Sequence, residues 1–152
     1  MIEATFASIR FLRKLSQEAD MEFEYAKREW SKGTIYVPVL PVSLNGFPLG
    51  FAMLDTGADA TLLPMELNQV LDIDLDEENS IEFTSAGGST FRAIPSLQKI
   101  EYRLEQGGFR PIVWKGTAFF VSGQPTILLG QYQCLSELVI TLDARKKKIY
   151  VL

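Results

Sequence analysis

Histidine is missing from all 152 residues. That absence excludes Ser-His-Asp and Cys-His catalysis, His-Glu-x-x-His zinc sites, and zinc sites built on mixed His and Cys ligands. Acid–base work near neutral pH is left to carboxylates, lysine or tyrosine. Carboxylates have a mechanism available, because two of them held together share a proton. Cysteine is nearly absent as well: a single Cys134 cannot form an intrachain disulfide and fits a reducing compartment. No apolar run approaches the ~20 residues that cross a bilayer, so no integral membrane segment is expected. The opening Met-Ile-Glu-Ala-Thr-Phe lacks the basic-then-apolar order of a signal peptide, and the expected location is cytoplasmic. Positive charge is also short, with 15 Lys and Arg against 19 Asp and Glu for a net charge of −4. Without a basic stripe, nucleic acid is not an expected partner.

What remains has the composition of one ordinary globular domain, with 47% apolar and 22% charged residues and a length sufficient to bury its own core. In residues 1–30, Ile2, Phe6, Ile9, Leu12, Ala19, Phe23, Ala26 and Trp30 recur at helical spacing, predicting a helix over roughly the first half. Met21, Phe23 and Tyr25 also alternate with Glu22 and Glu24, so the second half reads equally as a strand. Residues 1–33 are expected to form an N-terminal, helical extension, and residues 34–152 the main domain. Thr34 to Leu44 is a strand run interrupted by Pro38 and Pro41, which favours an edge or a bulge. Asn45-Gly46 predicts a hairpin, with Phe47 to Leu54 returning as its partner strand. A short helix is expected from Pro64 to Leu71. The acidic loop Asp72-Ile-Asp-Leu-Asp76 opens like a calcium loop, but Glu77 replaces the required Gly and Phe83 the required Glu. It therefore fails as an EF-hand, and neither metal nor cofactor is expected.

The stretch that organises the chain is Phe51-Ala-Met-Leu-Asp55-Thr-Gly-Ala-Asp59-Ala-Thr-Leu-Leu-Pro64. An apolar strand delivers Asp55, a turn of small residues follows, and a second apolar run begins at Leu62. A carboxylate at the end of a buried strand is costly unless hydrogen-bonded or paired. The N–H groups of Gly57 and Ala58 are placed to point at it, and Gly57 allows a tight turn or a close backbone approach. A polar turn between two strands is the plainer reading, but it leaves the apolar flanks unexplained. Farther on, Ile81 to Thr84 and Thr90 to Ile94 are strand-like runs joined by Ser85-Ala86-Gly87-Gly88-Ser89. Glycines let such a tip move and approach a ligand closely. Neither their spacing nor a following Lys fits a phosphate-binding loop. Thr126 to Gly130 is an apolar run ending in Gly, and strands are expected at Leu97–Leu104, Ile112–Val121, Leu138–Leu142 and Ile149–Leu152.

Leu54 to Asp59 followed by Thr61-Leu62-Leu63-Pro64 resembles the active-site loop of retroviral-type (retropepsin-like) aspartic peptidases. The resemblance extends over about residues 34–152. It implies a mostly β fold, a closed β-barrel half-lobe with one short C-terminal helix over Gln131–Leu138. It implies Asp55 as the catalytic carboxylate, supported by Thr56 and Gly57. Ala58 and Asp59 would face substrate backbone, and Ser85, Ala86, Gly87 and Gly88 would form a flap closing over it. The family commonly carries Arg after the Gly that is here Gly130, paired with the acid that is here Asp59; this chain has Gln131.

Only one Asp-Thr-Gly occurs, and no half-length repeat supplies another, which excludes a two-lobed enzyme. One Asp55 cannot both take a proton from water and assist the carbonyl oxygen. Two-fold pairing of chains supplies the second copy, and the C-terminal strands ending in Ile149-Tyr-Val-Leu152 are the candidate interface. Carboxylates ~3 Å apart repel by about 5 kcal/mol at an effective dielectric near 20, which favours a pair holding one proton. The expected function is a homodimeric aspartic endopeptidase acting on extended polypeptides. The alternatives are a catalytically silent dimer that binds peptides, and an assembly module.

Overall fold

Prolines divide the first apolar run and decide which sheet each piece joins. The computed structural model describes residues 20–152. Strands β1 (Met21–Glu24), β2 (Ala26–Trp30), β3 (Gly33–Val37), β4 (Val39–Leu40) and β5 (Val42–Leu44) follow in quick succession. Pro38 separates β3 from β4 and Pro41 separates β4 from β5; each lacks the N–H a ladder needs. The chain therefore changes partner at each. β6 (Phe47–Pro48) and β7 (Ala52–Leu54) follow, then β8 (Leu62–Pro64) and α1 (Leu67–Val70), the one α-helix among the described residues. The remaining strands are β9 (Ile81–Thr84), β10 (Thr90–Pro95), β11 (Ile100–Leu104), β12 (Ile112–Gly116), β13 (Phe119–Val121), β14 (Ile127–Leu129), β15 (Ile140–Asp143) and β16 (Lys148–Val151).

These strands make four sheets instead of the closed barrel expected. They are a seven-stranded sheet β4-β7-β14-β8-β13-β10-β9, a four-stranded sheet β12-β11-β5-β6, a three-stranded sheet β1-β16-β15, and the hairpin β2-β3. The proline breaks and strands of two or three residues leave no continuous ladder to close. β4 pairs with β7 in the first sheet while β5, one residue later, pairs with β11 in the second. Asn45 and Gly46 both take positive φ, 47° and 80°, which is the hairpin turn that the pair favours. It joins β5 to β6 with Leu44 opposite Phe47. The predicted return strand is broken at residues 49–51, so that β6 and β7 lie in different sheets.

Alternation within strands builds the core. Ile100, Tyr102 and Leu104 of β11, Val42 and Leu44 of β5, and Ile149 and Val151 of β16 all point inward and are buried. They join Leu40, Leu63, Phe120, Leu129 and Cys134 in one cluster. The seven-stranded sheet is covered on both faces at β8 and β13. Leu63 and Phe120 enter the main core, while Leu62, Phe119 and Val121 join a second cluster with Ala60 and Ala93. Phe83 and Phe91 of the β9–β10 hairpin pack onto that second cluster, Phe83 edge-on to Phe119 at 5.6 Å.

The helix predicted for the first half of residues 1–30 lies outside the described residues. The second half is strand, not helix: β1 pairs in antiparallel register with β16, Met21 opposite Val151, and Met21 is buried in the core. The period-two alternation of Met21, Phe23 and Tyr25 prevails because β16 offers an edge to pair with. The hairpin β2-β3 is mostly exposed, with Trp30 at its tip, and the Lys147 ammonium sits 3.7 Å over the Tyr36 ring at its base. The C-terminal helix predicted over 131–138 is only a 3-10 turn at Leu135–Glu137. Gln133 takes a positive φ of 53°, and Tyr132 bridges to Ala60, so the chain is held away from helical geometry there. The helix at 64–71 exists but is trimmed to α1, because Pro64 remains in β8. Among the described residues, no helix is long and apolar enough to cross a membrane.

The three-stranded sheet has an unusual edge. β16 lies in its centre, so both its edges are occupied, and the C-terminal strand itself cannot pair with another chain. On the outer side of β1, the Gln106 side-chain amide accepts from the Glu22 N–H at 3.0 Å and donates to the Glu22 carbonyl. A side chain thus imitates a neighbouring strand and blunts this edge. Gln106→Ala is expected to reduce stability by about 1 kcal/mol and to speed hydrogen exchange of β1 selectively. Denaturant unfolding and site-resolved exchange would measure both.

Candidate active site

β7 and β14 run parallel in the centre of the seven-stranded sheet, with Leu54 beside Leu129. The ladder continues one step further, the Asp55 N–H donating to the Leu129 carbonyl at 3.0 Å. Asp55 is thus held by its backbone where the buried strand reaches the surface. Its carboxylate Oδ1 accepts from the Gly57 N–H at 3.1 Å, while the Ala58 N–H closes the turn on the Asp55 carbonyl at 3.1 Å. Of the two N–H groups expected to face the acid, one does. Gly57 does not take a positive φ, and a Cβ there would meet only Asp55 Oδ1 at 3.5 Å, an ordinary contact. Nothing within this chain demands glycine at that position.

The tight approach lies behind the loop, at Gly130. A Cβ on Gly130 would overlap the Ala60 backbone, so the segment after β14 can cross beneath the loop only as glycine. The crossing is stitched by hydrogen bonds. The Gly130 N–H donates to Thr61 Oγ1 at 3.2 Å, the Gln131 N–H to the Ala58 carbonyl at 2.9 Å, and the Tyr132 N–H to the Asp59 carbonyl at 2.8 Å. The Gln131 side chain adds a fourth, its Nε2 donating to the Thr56 carbonyl at 3.0 Å. Gln131 therefore braces the Asp55 loop through its main chain instead of through Asp59. Asp59 itself is exposed and makes no side-chain hydrogen bond or ion pair among the described residues.

Thr61 is fully buried, together with Tyr102 and Cys134. Burial pushes the Cys134 thiol from 9.0 up to about 11, its contact with the Thr61 hydroxyl only partly opposing this. The Tyr102 phenol is raised mainly by burial as well, and donates to the Thr117 carbonyl at 3.3 Å. Both groups are neutral at physiological pH and act as scaffold.

Asp55, Gly57, Ala58 and Asp59 line a cleft of about 400 Å³. Ser85 and Ala86 from the tip of the β9–β10 hairpin line it from the other side. The hairpin pairs Phe83 with Phe91 and Thr84 with Thr90, and its loop is closed by Ser85 N–H to the Ser89 carbonyl at 2.8 Å, with Gly88 at φ +84°. Thr56, Gly87 and Gly88, also expected at the site, do not line the cleft; Thr56 is exposed and held through its carbonyl. The floor is apolar, formed by Ala60, Leu62, Phe83, Phe91 and Leu128. These residues and Gln124 were not singled out from sequence, although the alternation of Phe83 and Phe91 about the glycine-rich tip carries the signal. Thr61 and Gln131 were also missed as scaffold, since polar residues reveal a bracing role only once the crossing is seen. A second groove, of about 410 Å³ between Phe47, Phe51, Leu67 and Ile127, is nearly all apolar and holds Glu66 as its one acid. Among the described residues, no three His, Cys, Asp or Glu side chains gather as a metal site.

A solved structure of a retropepsin-like aspartic protease from Rickettsia conorii superposes on this chain with a TM-score of 0.52. The two are 18% identical, and the match covers 87% of this chain and 98% of that one. No protein-family model matches the sequence, and no curated protein does. At that identity the likeness speaks for architecture: the chain has a retropepsin-like fold.

Two outcomes test the scaffold. Thr61→Val is nearly isosteric but leaves the buried Gly130 N–H unpaired, and is expected to cost about 1–3 kcal/mol, with Thr61→Ser restoring most of it; denaturant titration reads the difference. The raised thiol sets a pH window. Folding keeps Cys134 protonated, so its stabilising contribution is complete below pH 9.0 and is lost as pH climbs toward about 11. The slope is at most about 1.4 kcal/mol per pH unit for one proton. Melting scans across that window should be shallower for Cys134→Ala than for the natural chain.

Proposed function

We propose that this chain is one half of a homodimeric aspartic endopeptidase that hydrolyses peptide bonds in extended polypeptides. The observation that carries the reading is the meeting of the lone Asp-Thr-Gly loop and a glycine-tipped hairpin across one solvent-open cleft. The retropepsin-like fold adds to it. The chemistry asks for two carboxyl groups in different protonation states. One Asp55 carboxylate takes a proton from water as it attacks the scissile carbonyl. The partner subunit's Asp55, protonated, donates to the carbonyl oxygen. As the C–N bond of the tetrahedral intermediate breaks, the acquired proton passes to the leaving amine, and a hydroxyl of the intermediate returns its proton to the partner subunit's Asp55 as the carboxyl product forms, so the pair regains its starting state.

The remaining residues take roles that suit their positions. The Gly57 N–H holds the Asp55 carboxylate in the orientation that water attack requires. The exposed Thr56, with its carbonyl tied by Gln131, has a free hydroxyl to brace the partner's loop across the two-fold. Ala58 and Asp59 meet substrate backbone, and Ser85, Ala86, Gly87 and Gly88 close over it. The Gln131 bracing supports an ordered loop despite the missing Arg.

Asp55→Asn keeps the size of the acid but cannot accept water's proton. In the dimer, cleavage of an unstructured peptide library followed by mass spectrometry should fall by roughly 10²- to 10⁴-fold, with melting temperature retained. Sedimentation across dilution should show activity tracking the dimer. Undiminished cleavage by Asp55→Asn, or full turnover by a monomer, overturns the mechanism; peptide binding without cleavage at any pH favours the binding-module reading.

A further inference from the structure

The cleft carries an uncompensated negative charge in addition to its catalytic acid. Among the described residues two acids line it, Asp55 and Asp59, and no Lys or Arg does. Gln131, whose N–H bonds to the Ala58 carbonyl next to Asp59, carries an amide already committed to the Thr56 carbonyl and offers no charge. Asp59 is nonetheless well held, its carbonyl bonded to the Tyr132 N–H at 2.8 Å and its neighbour Ala60 packed under Gly130. A fixed backbone, a free carboxylate and an adjoining apolar floor of Leu62, Phe83, Phe91 and Leu128 make a two-part recognition surface.

Resting on the endopeptidase reading, we infer that Asp59 is a specificity-determining residue that selects substrates carrying Lys or Arg two positions from a bulky apolar side chain. In an extended peptide, successive side chains point to opposite sides and recur every second residue about 6.6–7 Å apart. One such side chain fills the apolar floor while a cation reaches Asp59. Arg outranks Lys because its planar fork engages both carboxylate oxygens. The acid is exposed, so the discrimination is moderate and salt-sensitive.

The test uses matched peptides that share one aromatic residue and differ only in Arg, Lys, citrulline or Glu two positions from it. With the full-length dimer at low salt, kcat/KM for Arg over citrulline should be roughly two- to fivefold, with Glu lowest. The ratio should shrink as salt rises from about 0.01 to about 1 M and the screening length falls from about 30 to about 3 Å. In Asp59→Asn the ratio should collapse to about one, whatever the absolute rate. Gln131→Arg, which places a guanidinium beside Asp59, should lower it without removing the acid and serves if Asp59→Asn folds poorly. A natural chain that cleaves all four peptides alike, or an Asp59→Asn chain that keeps the preference, overturns the inference. If the natural chain cleaves none at any pH, the endopeptidase reading fails; fluorescence anisotropy of the same peptides then reads the Asp59 preference directly, and equal binding of Arg and Glu peptides overturns it too.

Discussion

Two backbones cross between Ala60 and Gly130 with no space for a side chain, and the placement of Asp55 depends on that crossing. The loop from Asp55 to Thr61 leaves a buried strand, turns over two hydrogen bonds from Gly57 and Ala58 to Asp55, and would otherwise be free to sample many conformations. The segment Gly130–Tyr132 removes that freedom by taking the carbonyls of Ala58 and Asp59 and offering an N–H to Thr61. Each bond is worth little by itself, about 1 kcal/mol net. Their importance comes from burial: Thr61 is fully buried, and a lost partner there leaves an unsatisfied polar group that water cannot reach. The acid at the surface is thus positioned by polar contacts in the interior.

The apolar residues after the loop divide between two cores. Leu62 and Leu63 face opposite clusters on β8, as Phe119 and Phe120 do on β13. Covering both faces of the central sheet makes the cleft floor rigid from below. The β9–β10 hairpin lies over the upper cluster through Phe83 and Phe91, stacked at 5.8 Å, so its base is anchored while its glycine-bearing tip remains exposed.

Strands whose pattern is local were legible in the sequence. Asn45-Gly46, the Asp55 loop and the hairpin around Ser85–Ser89 each announce themselves through turn chemistry over a few residues. Features set by distant partners were not. The alternation at Met21–Tyr25 competed evenly with helical spacing until β16 supplied the edge that decided it. The segment after Gly130 has helix-forming residues, but the bridge from Tyr132 to Ala60 and the positive φ of Gln133 override that propensity. Barrel closure, implied by resemblance, fails because Pro38 and Pro41 transfer the chain between sheets. For the site, Asp55, Gly57, Ala58 and Asp59 could be named from one motif, and they do line one cleft with Ser85 and Ala86. Gln131 could not be assigned from its type alone: an amide in place of a cation reads as a loss until its bond to the Thr56 carbonyl is seen.

A fold with one Asp-Thr-Gly leaves open where a second copy would attach, and the three-stranded sheet narrows the choice. β16 is flanked on both sides, and Gln106 occupies the outer edge of β1 at Glu22. The remaining outer edge belongs to β15. The Leu152 N–H bonds to the Val139 carbonyl at 2.9 Å, and in an antiparallel ladder bonded pairs alternate. With Ile140 opposite Val151, the backbone groups of Ile140 and Leu142 therefore face outward, and Leu142 is 39% exposed. Among the described residues no further strand pairs with β15, and an edge with an exposed leucine is a template for strand pairing unless something covers it. Two copies joined antiparallel along β15 would be related by a two-fold axis and form a continuous six-stranded sheet, the isologous arrangement that a symmetric half-site requires.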